Sequence, residues 1–397
     1  MTIDGSIETG PEISRGEFLD RINSLLPAIG ARSAETERSG RIGDETISEL
    51  EHAGVLGGLQ PRRWGGLELD PATFFEGIVA IGSACASTGW VTSVLGMHPW
   101  EIGCMAPQAQ ADVWSKDPTS RVCSSYAPTG SARPHKDGFW LSGWWGFSSG
   151  IDHCKWALLG AIVDGQEHLG PRVFLIPTRE LVVDHASWDV TGLAGTGSKD
   201  LTVNATFVPY YRTHTMAEFN DPQHDRPGWE FNTGPLYRFG FTDLFSWGIG
   251  APALGAATGF AQNWVNQTRK RVAGFGGKPV AAQSEVQANL AEGVHRVNVL
   301  HRSMVSAWNE VYDVVSNGDP LDPLAQRQLH YQGARTISAS LEAALAMFAT
   351  SGGGVMHTKN PLQRFLRDLL AMRNHPVASL GRFAKDQAQT EFVDTIC

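Results

Sequence analysis

What this chain does without narrows its chemistry first. It has only five cysteines, Cys85, Cys104, Cys123, Cys154 and Cys397, an odd number with no CxxC or other metal-ligating spacing. That usage excludes a recognisable metal site and a disulfide framework, and it is the pattern of free thiols in a reducing compartment. No run of five basic residues occurs, and 32 Lys+Arg against 41 Asp+Glu leave a formal net charge of -9. Nucleic acid and anionic membranes are poor partners for such a surface. No apolar run reaches the roughly 18 residues that a membrane helix needs. The opening MTIDGSIETGPE lacks the apolar core and basic lead of a signal or transit peptide, so a cytoplasmic location is expected. Internal repeats, low-complexity tracts and a GxGxxG dinucleotide fingerprint are also missing.

What is present suffices for a large core. The 397 residues, 42% hydrophobic and 18% charged, predict two or three packed units. Residues 1–120 read as helical. Ser14 and Glu17 have capping-box spacing ahead of Phe18, Ile22, Leu25, Leu26 and Ile29; Ile47 and Leu50 sit on a second helix that stops near Gly54; Asp70-Pro71 opens a third with Phe74, Ile78 and Ile81. Residues 121–235 read as a β-domain: RVCSSYAPTGSARP offers a short strand closed by proline and glycine, and HKDGFWLSG a turn into a hairpin strand. Leu201, Val203, Ala205 and Phe207 then alternate with polar residues up to Pro209. Residues 236–397 return to helix, with one apolar face from Val286 to Val315 and another through Ile337, Leu341, Leu345 and Phe348. A last helix, NPLQRFLRDLLAMRNHPVA, is stopped or bent at His375-Pro376. Helices, a β-domain and a helical bundle in that order make an α+β fold.

The stretch LSGWWGFSSGIDHCKW, 141–156, lies between runs that read as strands at 139–141 and 156–163. It gathers three tryptophans, three serines and an Asp-His pair. On residue type alone, Ser148-Ser149-Gly150 is also a strand-end turn, and Asp152 with His153 forms a candidate buried pair. His98, beside Pro99 and two residues from Trp100, is an isolated histidine that reads as structural until something converges on it.

These ordered motifs resemble the acyl-CoA dehydrogenase fold over nearly the whole chain. WGGLELD resembles its YGGLGLD-type turn, SSYAPTGS its flavin-contacting TEPxAGS segment, and LSGWWGFSSG its NGxKxWITN segment. GLAGTGSKDLTVNATFVP resembles GxRGTxSxxLxFxDVxVP, and SGGG with NPLQRFLRD resembles the GGxG and PVEKIYRD pair. The resemblance implies an N-terminal helical domain (1–120), a central β-domain (121–235) and a C-terminal helical bundle (236–397), with a flavin between the last two and a homotetrameric assembly. The glutamate with which acyl-CoA dehydrogenases take an α-proton falls in register on Pro376, and proline cannot act as a base. The chain is more similar to the oxygenase components of two-component flavin-dependent monooxygenases, such as those acting on 4-hydroxyphenylacetate, on seco-steroid phenols and on dibenzothiophene. STGW, the segment from Met97 to Ile102, Cys123 to Pro128, Trp145 to His153 and Leu366 to His375 carry that likeness, from about residue 60 to 380.

This second resemblance implies an enzyme that takes reduced FMN or FAD from a separate NAD(P)H-dependent flavin reductase, forms a flavin hydroperoxide with O2 as co-substrate, and hydroxylates a small aromatic, phenolic substrate. It implies Ser149 at the flavin ring nitrogen, His375 as the base that takes the phenolic proton, and His98 orienting the substrate hydroxyl. An imidazole, with a pKa of about 6.5, is largely neutral and able to accept a proton near pH 7. Ser125, Tyr126, Trp145, Phe147, Ser148, Ser149 and Gly353 are the implied flavin contacts, and His98, Trp100, Tyr126 and His375 the implied substrate contacts. His153 is implied to support the flavin loop. The chain departs from the pattern at Ala194 and Val272, where the fold's flavin-binding arginines would stand, and at Leu370, where the oxygenases carry a histidine. FMN and FAD therefore both remain open. A helix C-terminal histidine interacting with the dipole is the other reading of His375. Two other functions stay in view: an acyl-CoA dehydrogenase or flavin oxidase with a relocated base, and a non-catalytic scaffold of the same fold.

Overall fold

The computed structural model describes residues 12–221, 224–274 and 276–392; the opening segment and Cys397 lie outside them. Five helices come first: α1 (Arg15–Ser39), α2 (Asp44–His52), α3 (Pro71–Ala84), α4 (Ala86–Cys104) and α5 (Pro107–Trp114). Ser14 accepts the Glu17 amide at 3.2 Å, but the Glu17 carboxylate turns to Arg21 at 2.6 Å, so only half of the expected capping box forms. Asp70 caps α3 through the Thr73 amide at 2.8 Å, with Pro71 as its first residue. The next helix, α4, is buried along its whole length, so its single acid, Glu101, and its His98 are held away from water. Glycine lets it in: a Cβ on Gly89 would stand 2.6 Å from the Gly82 Cα on α3.

The sheet has the order β5-β6-β2-β1-β3-β4-β7, built from β1 (Val122–His135), β2 (Gly138–Ser148), β3 (Trp156–Val163), β4 (Arg172–Pro177), β5 (Val182–Asp184), β6 (Lys199–Pro209) and β7 (Thr213–Thr215). The pair β1 and β3 is parallel, and the other neighbours are antiparallel. Two strands are longer than their sequence suggests. Pro128 and Gly130 do not end β1, because a register shift against β3 between Ser125 and Gly130 absorbs them. Likewise β2 runs on to Ser148, so most of the 141–156 stretch is strand and not a connection. Its register shifts against β6 between Trp145 and Ser148, with Phe147 at φ 64°. Residues 149–155 then carry the chain over to the far side of β1, turning at Gly150 (φ 72°).

After α6 (Met216–Asn220), the chain closes with α7 (Phe241–Thr268), α8 (Ser284–Ser316), α9 (Pro323–Phe348), α10 (Pro361–Arg373) and α11 (Leu380–Glu391). The central helix is α7, packed against α3, α4, α9 and α10. It is apolar nearly all round, which is why no one-sided pattern announces it in the sequence. The carboxylate of Asp368 on α10 accepts the Leu193 amide at 2.6 Å and so anchors the 191–198 turn ahead of β6. From α1, Glu37 holds the same helix through Arg364 at 2.8 Å and through Arg367. No helix among the described residues is long and apolar enough to cross a membrane.

Candidate active site

The end of β2 and the turn anchored by Asp368 meet in a chain of hydroxyl groups. Trp90 Nε1 on α4 donates to Ser149 Oγ at 3.0 Å; Ser149 Oγ lies 2.7 Å from Ser198 Oγ, and Ser198 Oγ lies 2.6 Å from Thr196 Oγ1. Thr196 spends its one proton on the Leu193 carbonyl at 2.8 Å. Each hydroxyl has a single proton, so Ser198 must donate to Thr196 and Ser149 must donate to Ser198. Ser149 is thereby left with a lone pair and no proton to offer. Beside it, the Ser148 hydroxyl is fully buried without a partner among the described residues. Phe147, strained at φ 64° and 73% exposed, meets Trp188 edge-on at 5.9 Å.

A second group lies on α4. The Tyr126 hydroxyl donates to Glu101 Oε2, and His98 Nδ1 lies 3.4 Å from the same hydroxyl. Because the tyrosine proton is committed to Glu101, the neutral His98 ring carries its proton on Nδ1 and keeps a lone pair on Nε2. That Nε2 is buried with no partner among the described residues. The other Glu101 oxygen, Oε1, lies 2.8 Å from His214 Nε2 on β7, and the His214 ring is stacked on Phe219 at 3.6 Å. Burial pushes His98 down to about 4, against a smaller opposing pull from Glu101. It also drives the Tyr126 phenol well above 10, with Glu101 adding to the effect. Both are therefore neutral near pH 7.

Aromatic rings join the two groups. The Tyr126 ring meets Phe241 at 5.0 Å and Phe245 at 5.5 Å; Phe245 lies 6.3 Å from His375, and His375 meets Trp90 edge-on at 5.5 Å. His98, Tyr126, His375 and Ser149 thus come together from three separate parts of the chain. His375 Nδ1 accepts the Val377 amide at 3.3 Å, which caps the turn after α10. Its neutral ring therefore carries a proton on Nε2, and burial holds it neutral with a pKa of about 4.

Other expected residues lie elsewhere. Trp145 is fully buried in the sheet with Nε1 on the Gly160 carbonyl at 2.7 Å, so of the three aromatics at 144–147 only Trp144 and Phe147 face outward. Trp100 packs edge-on against Phe219 and donates to the Leu236 carbonyl at 3.1 Å. Ser125 is committed to the Gly146 carbonyl at 2.7 Å. Gly353 opens a turn beyond α9 with open space around it, and it is the preceding Gly352 that lies against Arg271, which donates to the Thr350 carbonyl at 2.8 Å. Asp152 and His153 do not form a pair: Asp152 binds Lys199 at 2.5 Å, and His153 Nδ1 faces Asp44 at 3.6 Å. Sequence reasoning missed Glu101, His214, Phe241 and Phe245. Only Glu101 carried a local signal, as the one charged residue in an otherwise uncharged segment that reads as helix.

Three kinds of comparison with known proteins agree. The family model described as "Acyl-CoA dehydrogenase, C-terminal domain" matches residues 247–380. The chain is 34% identical over 361 residues to the flavin-dependent monooxygenase, oxygenase subunit HsaA, of Rhodococcus jostii, covering 90% of this chain and 93% of that one. It is 30% identical to the oxygenase component of an FADH(2)-dependent resorcinol hydroxylase of a Rhizobium species, over 93% of this chain and 91% of that one. Among solved structures, the 3-HSA hydroxylase from Rhodococcus sp. RHA1 superposes with a TM-score of 0.90 at 33% identity, covering 95% of this chain and 97% of that one.

Proposed function

The chain belongs to the oxygenase components of flavin-dependent monooxygenases built on the acyl-CoA dehydrogenase fold, and from that premise we propose that it hydroxylates a phenol, with His98 as proton acceptor and Ser149 as a flavin contact. The residues present fit a reduced flavin. Ser149 offers a lone pair to a ring N–H, Ser148 has a buried hydroxyl without a partner among the described residues, and Phe147 and Trp144 present exposed aromatic faces. When bound, reduced flavin supplies the two electrons that activate O2 and leave one oxygen atom for transfer to the ring. A separate NAD(P)H-dependent reductase delivers it. FMN and FAD both satisfy these contacts.

What the protein contributes is position and proton handling. Phe241, Phe245, Trp90 and Tyr126 give the substrate ring an apolar wall that excludes water. His98 Nε2, with its lone pair and no partner among the described residues, accepts the phenolic O–H. Complete transfer from an ordinary phenol, with a pKa of about 10, to a base near 4 costs roughly 8 kcal/mol. His98 therefore holds the proton in a hydrogen bond and takes it only as the ring is attacked. The orientation of His375 favours the opposite role from the expected base: its Nε2–H donates, and can steady an oxygen atom near the ring. The free thiols Cys85, Cys104, Cys123 and Cys154 suit a cytoplasmic location. Val299 and Leu345, 49% and 43% exposed on α8 and α9, suit the homotetramer in which units 1–120, 121–235 and 236–397 would assemble.

The observation that carries this reading is the pair of unmatched acceptors, His98 Nε2 and the Ser149 lone pair, joined by one run of aromatic rings. The test is to mix the protein with reduced FMN or FAD, O2 and a panel of phenols and to assay hydroxylated product against hydrogen peroxide. Product should form with at least one phenol; peroxide alone across the panel would contradict the proposal.

A further inference from the structure

The hydrogen bonds behind His98 run in one direction. His214 Nδ1 lies 3.2 Å from the Thr215 carbonyl, an oxygen that can only accept, so Nδ1 carries a proton. His214 Nε2 and Glu101 Oε1 are 2.8 Å apart, and a proton must lie between them: on Oε1 beside a neutral ring, or on Nε2 in a carboxylate–imidazolium pair. The pair is neutral overall in both cases. Phe219, stacked at 3.6 Å and 11°, holds the imidazole plane. Glu101 is 1% exposed, and its ion-pair partners among the described residues are the two histidines, with no lysine or arginine. A purely structural helix would be as stable with an apolar residue there, since a buried ion pair is rarely better than a well-packed hydrophobe.

We infer that Glu101 and His214 form a proton relay that draws the phenolic proton charge from His98 through Tyr126 to β7, which makes them positioning residues of the hydroxylation. The inference rests on the phenol reading above. As the phenol O–H bond breaks, its proton bonds to His98 Nε2, and the Nδ1 proton passes to the Tyr126 oxygen. The Tyr126 proton passes to Glu101 Oε2, and the proton between Glu101 and His214 ends on His214 Nε2. No electrons change owner. The phenolate gains one negative charge, His214 carries one positive charge, and His98 is left in its other neutral tautomer until the product leaves. This shifts the imidazolium from His98, where burial makes it costly, to His214, whose two ring N–H groups then donate to the Thr215 carbonyl and to Glu101 Oε1. Titratable and charged groups near the relay include Cys104 on α4, Cys123 on β1 and Arg226, whose guanidinium lies 5.6 Å from the Phe219 ring; beside β7 stand Arg172 on β4 and Glu218 on α6, which accepts the Thr215 amide at 2.7 Å.

The test uses the flavin-free protein and 4-nitrophenol, whose phenolate is coloured and whose ionisation is read directly by a spectrophotometric pH titration. Glu101→Gln keeps the shape, since its amide accepts from Tyr126 and donates to His214, but it cannot pass a proton on. His214→Gln interrupts the same path from the other end and guards against a folding defect specific to position 101. Wild-type protein should lower the apparent pKa of the bound probe. Both variants should bind the probe but lose about tenfold in phenolate fraction, a rise of about one pKa unit. Bound probe that ionises equally in wild type and in both variants overturns the relay and leaves the phenol reading standing. Failure of the wild type to bind 4-nitrophenol removes the phenol reading and the relay with it.

Discussion

The orientation of Ser149 makes Ser198, a residue one step removed from the proposed flavin contact, a sensitive place to intervene. Ser198→Ala deletes the acceptor 2.7 Å from Ser149 Oγ and frees the Ser149 proton to swing towards the space where Ser149 otherwise offers a lone pair. A hydrogen bond of this type contributes about 0.5–1.5 kcal/mol net, so the accepting orientation should fall roughly two- to twelvefold in population, with about fivefold the central value. Ser149→Ala is harsher, because it removes the acceptor altogether and orphans Trp90 Nε1, a buried donor now bonded at 3.0 Å, at a cost of about 1–3 kcal/mol. Thr196→Val, one bond further along, should act in the same direction as Ser198→Ala and less strongly. The assay is moles of hydroxylated phenol per mole of reduced flavin oxidised, with hydrogen peroxide as the complement. Ser198→Ala should shift the balance towards peroxide while Ser149 is still in place. Wild-type coupling in Ser198→Ala would refute the assigned direction of the chain.

Three further outcomes follow from the same geometry. His98→Leu should cut product formation by about 10²–10⁴ while flavin oxidation continues to peroxide; retention of product formation would remove His98 as the acceptor. If His375 acts as a donor, His375→Gln should retain about tenfold more product than His375→Ala, the worth of one well-made hydrogen bond, whereas equal losses would favour the base role. Stability should also depend on pH in two opposing ways. His98 and His375 have folded values near 4 against 6.5 unfolded. They contribute stability that is present above about 6.5 and lost as pH falls through 4, about 3 kcal/mol each. Asp368, pushed by burial from 3.8 to about 6, works the other way: its carboxylate costs stability above pH 6 and that cost fades towards pH 4. Relative to wild type, Asp368→Asn should therefore lose about 3 kcal/mol of advantage between pH 7 and pH 4 in denaturant titrations; a pH-independent difference would contradict the burial argument.

The helical segments, the hairpin and the order of the motifs were legible in the sequence because local periodicity and capping decide them. Motif likeness also pointed to His98, Tyr126, Ser149 and His375, which the fold brings near one another. What local reasoning could not supply was the partners. Glu101 and His214 are separated by 113 residues and meet only because β7 is laid beside β4 at the sheet edge. Phe241 and Phe245 sit on α7, whose apolar residues point in every direction and show no favoured face. Pro128 and Gly130 looked like strand terminators because proline usually ends a ladder, and a bulge in β1 accommodates them instead. Trp144 and Trp145 are equivalent by residue type, but the pleat sends one outward and the other into the core. The proton positions on His98 and His375, which separate the proposed acceptor from the proposed donor, depend on Tyr126 and Val377 and emerge only from the three-dimensional hydrogen-bond pattern.

The proposed activity uses externally reduced flavin to place one atom of O2 on a phenol. Its most direct test is a single-turnover reaction with chemically reduced flavin, a phenol that the protein binds and isotopically labelled dioxygen, followed by mass spectrometry of the aromatic product. One labelled oxygen atom is expected in each hydroxylated molecule, with no reductase present. Unlabelled product, or quantitative peroxide with the phenol recovered intact, would contradict it.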